Sequence, residues 1–392
     1  MKTVKYSFYA FLALIFISIC LRPPVAAIGP LVDELTKAES LSLFQVGLLT
    51  SLPIVCFGLG AFASPALVKR FTLNRAMLLV LLALTVAMAI RLIGGFTALI
   101  VCTVFIGLAI AIGNVLIPTV VREQFPNRIE LITGVYVTLL AISASLSAAI
   151  AVPTSDLLGG WRGALALWII PAVLAIIFWL PVSRTKTHDV VTTAETHAEE
   201  RAAVVRSPLT WAIVAFFGLQ SAGFYAILNW MPSLLIARGL SAVDAGSILG
   251  LTTAVGIPTG FLVSLVFRKF KNLSFMSVFV STLTLSGLLM IWLLPGSLIF
   301  ACVITGLGFA ATFPLSLTLI GSRASTATQT TQLSALSQGY GYLIAAFGTF
   351  AFGYLADVTG GWSASLILLI VMTFIQLFAG ALAGRDKRIP AA

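Results

Sequence analysis

A chain of 392 residues that is 59% hydrophobic and only 9% charged falls outside the soluble globular class, where about a quarter of residues carry charge. Its formal charge of +10 would suit nucleic acid, but the basic residues recur in small clusters between apolar runs, the pattern of membrane topology. Cys20, Cys56, Cys102 and Cys302 all lie within apolar runs, and there is no CxxC, no metal-ligand cluster and no Ser/His/Asp or Cys/His set. No cofactor, no metal and no enzymatic chemistry are therefore expected.

Apolar runs of about 20 residues mark membrane helices, and twelve follow in order. The first, Phe8–Ile28, comes after Lys2 and Lys5 and imitates a signal peptide. Further spans follow closely, so it is expected to remain as a helix. Next come Gln45–Val68, Ala76–Ile93, Thr97–Val120, Leu131–Pro153 and Gly163–Pro181. A polar stretch of mixed charge, Ser183–Ser207, holds both His188 and His197 and reads as a mobile linker with room for a short surface helix near Glu195–Val205. The remaining six are Leu209–Pro232, Ala245–Phe267, Leu273–Leu294, Ser297–Ile320, Gln332–Leu355 and Ser363–Ala383.

With the N-terminus inside, 18 Lys and Arg residues fall on the cytoplasmic side and four outside (Lys37, Arg91, Arg162 and Arg238). That bias predicts cytoplasmic termini and a multi-pass protein of the cytoplasmic (inner) membrane. The halves also repeat. Gly47 and Lys69-Arg70-Phe71 recur 199 residues later as Gly246 and Arg268-Lys269-Phe270, and Gly107-Leu108 as Gly306-Leu307. Asp156-Leu157-Leu158-Gly159-Gly160-Trp161 recurs as Asp357-Val358-Thr359-Gly360-Gly361-Trp362. The expectation is an all-α membrane protein of twelve transmembrane helices in two six-helix pseudo-symmetric halves. Residues 1–182 and 208–392 form the halves and 183–207 the cytoplasmic linker loop. Parallel duplication of this kind places a substrate site near the midplane between the halves.

Several short motifs run through the chain in order. They are Leu21-Arg22-Pro23 with Gly29-Pro30-Leu31, Gly113-Asn114-Val115-Leu116-Ile117-Pro118 with Phe125-Pro126, and Thr133-Gly134 with Tyr136. Phe224-Tyr225 with Trp230-Met231-Pro232, Arg323-Ala324-Ser325, Gln338 with Gly341-Tyr342, and Gly384-Arg385-Asp386-Lys387 complete the set. Together with the two-half organisation, they resemble the major facilitator superfamily and, within it, the cyanate porter family of bacterial cyanate and 2-nitroimidazole transporters. The resemblance implies the major facilitator fold and a small substrate, such as a cyanate-like anion, a nitroimidazole-like ring or a small organic acid. Val68-Lys69-Arg70-Phe71-Thr72 lacks the acid usual in the loop between the second and third helices, and Ser145–Pro153 lacks the Gly-Pro of drug/proton antiporters. Multidrug efflux by the same fold is therefore the second reading.

Arg22 is the strongest residue-level clue, because a charge within a span is costly and usually functional. It stands about 21 Å up the first helix at 1.5 Å per residue. Pro23 and Pro24 donate no backbone hydrogen bond, which strips the carbonyls of Ile19 and Cys20 of their usual partners. A guanidinium beside free carbonyls is a plausible anion anchor; the bland alternative is a side chain that snorkels or braces the helix. All thirteen acids fall in loops or at helix ends, so the cavity should be neutral to positive. A coupled proton would ride on the substrate, with Asp156 and Asp357 left as groups that could titrate. Polar residues at helical spacing add Asn114, Tyr136, Tyr225, Asn229, Trp230, Thr312, Gln338 and Tyr342 as candidate ligands, against a packing role for each. Asp156 and Asp357 read as capping or loop-ordering residues, Trp161 and Trp362 as interfacial anchors, and Gly107, Gly113, Gly306 and Gly308 as close-packing positions. The expected partners are a small anionic or polar substrate and the bilayer. Nucleic acid is not expected, and one chain already completes the two halves, so a monomer is.

Overall fold

The computed structural model describes residues 2–391 apart from Ser42, 185–193, Phe270 and Lys271. The described residues form helices joined by short turns, with no strand among them. In chain order they are α1 (Lys2–Cys20), α2 (Pro23–Ala26), α3 (Val32–Ala38), α4 (Leu43–Phe71), α5 (Leu73–Arg91), α6 (Phe96–Gln124), α7 (Ile129–Leu157), α8 (Trp161–Ala166) and α9 (Ile169–Ser183). After these come α10 (Ala194–Arg206), α11 (Pro208–Ala237), α12 (Ala242–Ala254), α13 (Gly256–Lys269), α14 (Leu273–Leu293), α15 (Leu298–Arg323), α16 (Ala327–Thr359) and α17 (Ser363–Ala383). Among the described residues, ten segments are long and apolar enough to cross a membrane. Helix α4 and the α12–α13 pair occupy the second and eighth predicted positions.

Local chemistry sets the boundaries. Pro208 opens α11, where a missing N–H costs nothing. The Ser241 hydroxyl accepts from Asp244 N at the start of α12, Asn272 Oδ1 from Phe275 N at α14, and Thr326 Oγ1 from Gln329 N at α16. Gly360, at φ +66°, closes α16 in the left-handed conformation.

Three predicted spans are broken in the structure. The first stops at Cys20 and restarts at Pro23, because two prolines withhold the donors that would continue it. The sixth is split between α8 and α9 at Leu167 and Trp168. The eighth changes helix at Val255, three residues before Pro258, whose missing N–H and ring oppose a continuous ladder. Within the predicted linker loop, residues 194–206 form α10, which packs on α16 and α11 with Glu200 and Val204 buried. Residues 185–193 of that stretch, with His188, lie outside the described residues, as does Phe270 of the repeat.

Two compact units result. One comprises Met1–Asn127 and Val135–Thr193, the other Arg128–Gly134 and Ala194–Ala392. In the first, α1 packs on α9, α4 on α6, and α5 on both α6 and α9. A Cβ on Gly107 of α6 would sit 2.7 Å from Cys56 Cβ and 3.4 Å from Pro53 Cα of α4. In the second unit, Gly306 of α15 faces the backbone of Thr252, which stands 199 residues after Pro53. The repeat is thus carried by equivalent helix contacts. Also in the second unit, α11 packs along α16, with Gly341 against Phe217 and Gly348 against Ala222.

The Gly-Gly-Trp turns differ from expectation. The Asp156 and Asp357 side chains are exposed, and the turns rest on glycine φ values of +76° at Gly159, +108° at Gly160 and +66° at Gly360. Trp161 is only 2% exposed and belongs to a core with Leu31, Leu35 and Leu165 instead of anchoring at an interface. Trp362 packs beside Trp230 and Phe352.

Candidate functional site

The candidate residues fall into two groups, one in each unit. In the first unit the chain breaks at Leu21-Arg22. Leu21 N donates to Ile17 O at 3.2 Å, ending α1. The Arg22 carbonyl then accepts from Val25 N at 3.1 Å and Ala26 N at 3.0 Å, so Arg22 caps α2 while its side chain is half-buried. A Cβ on Gly113 would lie 3.4 Å from Leu21, so α6 meets the chain one residue before Arg22 and one before Asn114. Asn114 is buried, and its Oδ1 accepts from the Tyr136 hydroxyl at 2.7 Å, joining α6 to α7.

In the second unit, Tyr225, Asn229 and Trp230 lie on α11 and Gln338 and Tyr342 on the adjoining α16. Tyr225 is half-buried beside Phe224, and Asn229 is exposed. Trp230 Nε1 donates to Thr349 O at 3.2 Å, and its ring fills the space above Gly353. Gln338 Nε2 donates to Ser334 Oγ at 2.9 Å, the pairing that their i, i+4 spacing suggests. Tyr342 is buried edge-on against Phe217. Thr312 is fully buried and donates to Gly308 O at 2.6 Å on its own helix.

Three charged residues not singled out as site candidates carry much of the first unit's geometry. Arg91, predicted as an outside charge, is the last residue of α5 and is buried, with Nη1 donating to Pro24 O at 2.7 Å. An arginine in the last turn of an apolar helix ordinarily snorkels, which is why the sequence pattern did not separate it. Glu34 and Glu39, read as loop acids, join four segments. Glu34 accepts from Trp161 N at 2.7 Å and from the Ser155 hydroxyl, and Glu39 accepts from Gly95 N at 2.6 Å and Arg162 Nη2 at 2.8 Å. The Arg162 guanidinium lies 4.4 Å over the Trp161 ring. Glu34 thereby caps α8, whose own cap position is Gly160. Glu34→Ala is expected to lower stability by about 1–3 kcal/mol, since it leaves a buried hydroxyl and a helix-start N–H without their acceptor. Glu34→Gln, which keeps one acceptor oxygen, should lose less. Thermal unfolding in detergent measures both, and an unchanged midpoint for Glu34→Ala would remove the cap from the account.

In every helix long enough to span, the acids stand in a terminal turn: Glu123, Glu130, Asp156 and Asp357. Apolar helices in two repeated units, with no acid in their middles, define a polytopic membrane protein of the carrier class. The chain belongs to the Major Facilitator Superfamily, whose profile matches residues 7–349. It is 34% identical to the 2-nitroimidazole transporter of Escherichia coli (strain K12) over 96% of this chain and 95% of that protein. To the cyanate transport protein CynX of the same organism it is 28% identical over 93% of this chain and 96% of that one. The fold matches the outward-conformation crystal structure of the transporter FucP with a TM-score of 0.78, covering 96% of this chain and 99% of that chain at 14% identity. The protein is thus a multi-pass transporter of this superfamily, related to nitroimidazole and cyanate transporters, and not an enzyme.

Proposed function

We propose that the protein is a secondary active transporter that moves a small organic anion, or a small polar or heterocyclic compound, across the cytoplasmic membrane by alternating access. Both termini lie in the cytoplasm, as the Lys and Arg bias favours. The observation that carries the reading is Arg22, a half-buried guanidinium at a proline-made break in a spanning segment. Relatives named for 2-nitroimidazole and cyanate support a small substrate, and the absence of acids from the middles of the described spans supports an anionic or neutral one. Arg22 fixes the electron-rich group. Asn114 and Tyr136 in one unit, and Tyr225, Asn229, Trp230, Thr312, Gln338 and Tyr342 in the other, are the residues from which hydrogen bonds and shape are drawn. One chain acts alone, and any coupled proton rides on the substrate.

Ligands that bind the folded state raise its melting temperature by mass action. Purified protein should be stabilised by cyanate, benzoate or 2-nitroimidazole, and Arg22→Gln should lose the response to the anions. Stabilisation by tetraphenylphosphonium, or by ligands indifferent to Arg22, would overturn the anion reading and put multidrug efflux in its place.

A further inference from the structure

Arg91 is a residue of α5 that is only 1% exposed. A guanidinium keeps its charge in proteins, so burying one is costly unless carboxylates or many acceptors receive it. Here the compensation is thin. Nη1 donates to Pro24 O, and Nε meets no acceptor. The ion pairs Arg162–Glu39 and Arg323–Asp386 leave Arg91 out.

What Arg91 does hold is specific. The neighbouring backbone donors pass Pro24 by, since Ala27 N bonds Pro23 O and Ile28 N bonds Val25 O. Pro24 O is therefore the carbonyl at the end of α2 that takes its donor from another helix, 67 residues away in sequence. Pro24 stands two residues after Arg22, at most about 7 Å along the chain. A cation at the C-terminal end of a helical turn is favourable in itself, and this one ties α5 to the turn that carries Arg22.

We propose that Arg91 sets the anion preference of the Arg22 turn. It pins the turn through Pro24 and places behind it a second positive charge that no carboxylate among the described residues neutralises. This rests on the reading of Arg22 as an anion anchor. In a low-dielectric interior a buried positive charge behind the turn attracts an arriving anion in addition to what Arg22 itself offers. A neutral ligand of the same shape gains only contacts. Arg91 is on this account a positioning and specificity residue that need not touch the substrate.

The test compares anion–neutral pairs on the purified full chain in nanodiscs: benzoate with benzamide, acetate with acetamide, nicotinate with nicotinamide. Affinities come from thermal shift. Cys102 lies on α6, the helix that packs along α5, within electrostatic reach of Arg91, and its thiol is neutral, so an aspartate there would add a charge that the native side chain lacks. Cys102→Asp therefore cancels the Arg91 charge while leaving its donor to Pro24 in place, and Cys102→Asn controls for size. The preference for the anion should fall about tenfold, some 1.4 kcal/mol, in Arg91→Gln and in Cys102→Asp. It should persist in Cys102→Asn and largely return in Arg91→Lys. If Arg91→Gln does not fold, the two Cys102 variants decide. Equal losses in Cys102→Asp and Cys102→Asn would show a packing effect and overturn the proposal. So would wild-type preference in both Arg91→Gln and Cys102→Asp while Arg22→Gln abolishes it, an outcome that leaves the Arg22 reading standing. No anion preference in the wild type across all three pairs, or full preference in Arg22→Gln, would overturn both.

Discussion

Gly308→Val is expected to destabilise the folded protein severely. Helices α14 and α15 meet through two reciprocal glycine–threonine contacts. A Cβ on Gly308 of α15 would lie 2.7 Å from Thr284 N and 2.8 Å from Thr284 Cα, and a Cβ on Gly287 of α14 would lie 2.7 Å from Thr305 N. Each glycine thus receives the backbone of the other helix, and neither can yield by turning a side chain. Both threonines spend their hydroxyls on their own helix, Thr284 on Val280 O at 3.1 Å and Thr305 on Ala301 O at 2.8 Å, so no polar group is stranded in the seam. Small residues drive helix association in lipid because they let backbones approach. Overpacking a core costs about 1–3 kcal/mol or more, and valine adds three heavy atoms where one already collides. A loss above roughly 3 kcal/mol should lower the melting temperature by roughly 10 °C. Heat-step size-exclusion chromatography reads this directly. Gly250→Ala is the control, because a Cβ there meets nothing within 4 Å. A Gly308→Val protein that runs and melts like wild type would contradict the close α14–α15 contact.

That contact was partly legible beforehand. Gly306 and Gly308 read as packing positions because glycines in an apolar span have few other uses, and the 199-residue offset already paired Gly306 with Gly107. Their partners were not legible, since nothing in the sequence says that Gly308 faces α14 while Gly306 faces α12. The helices themselves follow from apolar runs, a local property. The breaks inside them were harder. Pro23-Pro24 advertises one, whereas the split at Val255 stands three residues before the proline that opposes continuity. Long-range polar ties were invisible. The bonds from Arg91 to Pro24 and from Trp161 to Glu34 join residues 67 and 127 apart, and no periodicity encodes such pairs. The candidate site shows the same division. Ser334 and Gln338 share a helix face by spacing and are bonded, but the tie of Trp230 to Thr349 on another helix had no sequence signal.

Two motifs noted only for their resemblance, Arg323-Ala324-Ser325 and Gly384-Arg385-Asp386-Lys387, turn out to be one structural knot, and its strength rests on Arg323. Arg323 is the last residue of α15 and is 5% exposed. Its Nε donates to Ala383 O at 3.3 Å and its Nη2 to Gly384 O at 2.9 Å, so a guanidinium from α15 satisfies the open end of α17. The chain beyond is strapped back: Ile389 N donates to Arg323 O at 2.9 Å and Gln329 Nε2 to Pro390 O at 2.7 Å, with Ile389 fully buried. The Arg323–Asp386 ion pair at 3.4 Å is the visible partner, but Asp386 is fully exposed, and an exposed pair is screened by water. Arg323→Ala should therefore cost about 3 kcal/mol through lost charge-assisted bonds and stem packing, a fall of roughly 5–10 °C in melting temperature. Asp386→Ala should change little. Limited proteolysis should cut the segment after Ala383 faster in Arg323→Ala than in Asp386→Ala. If the order were reversed, with Asp386→Ala the more damaging variant, the ion pair and not the capping of α17 would be what holds the tail.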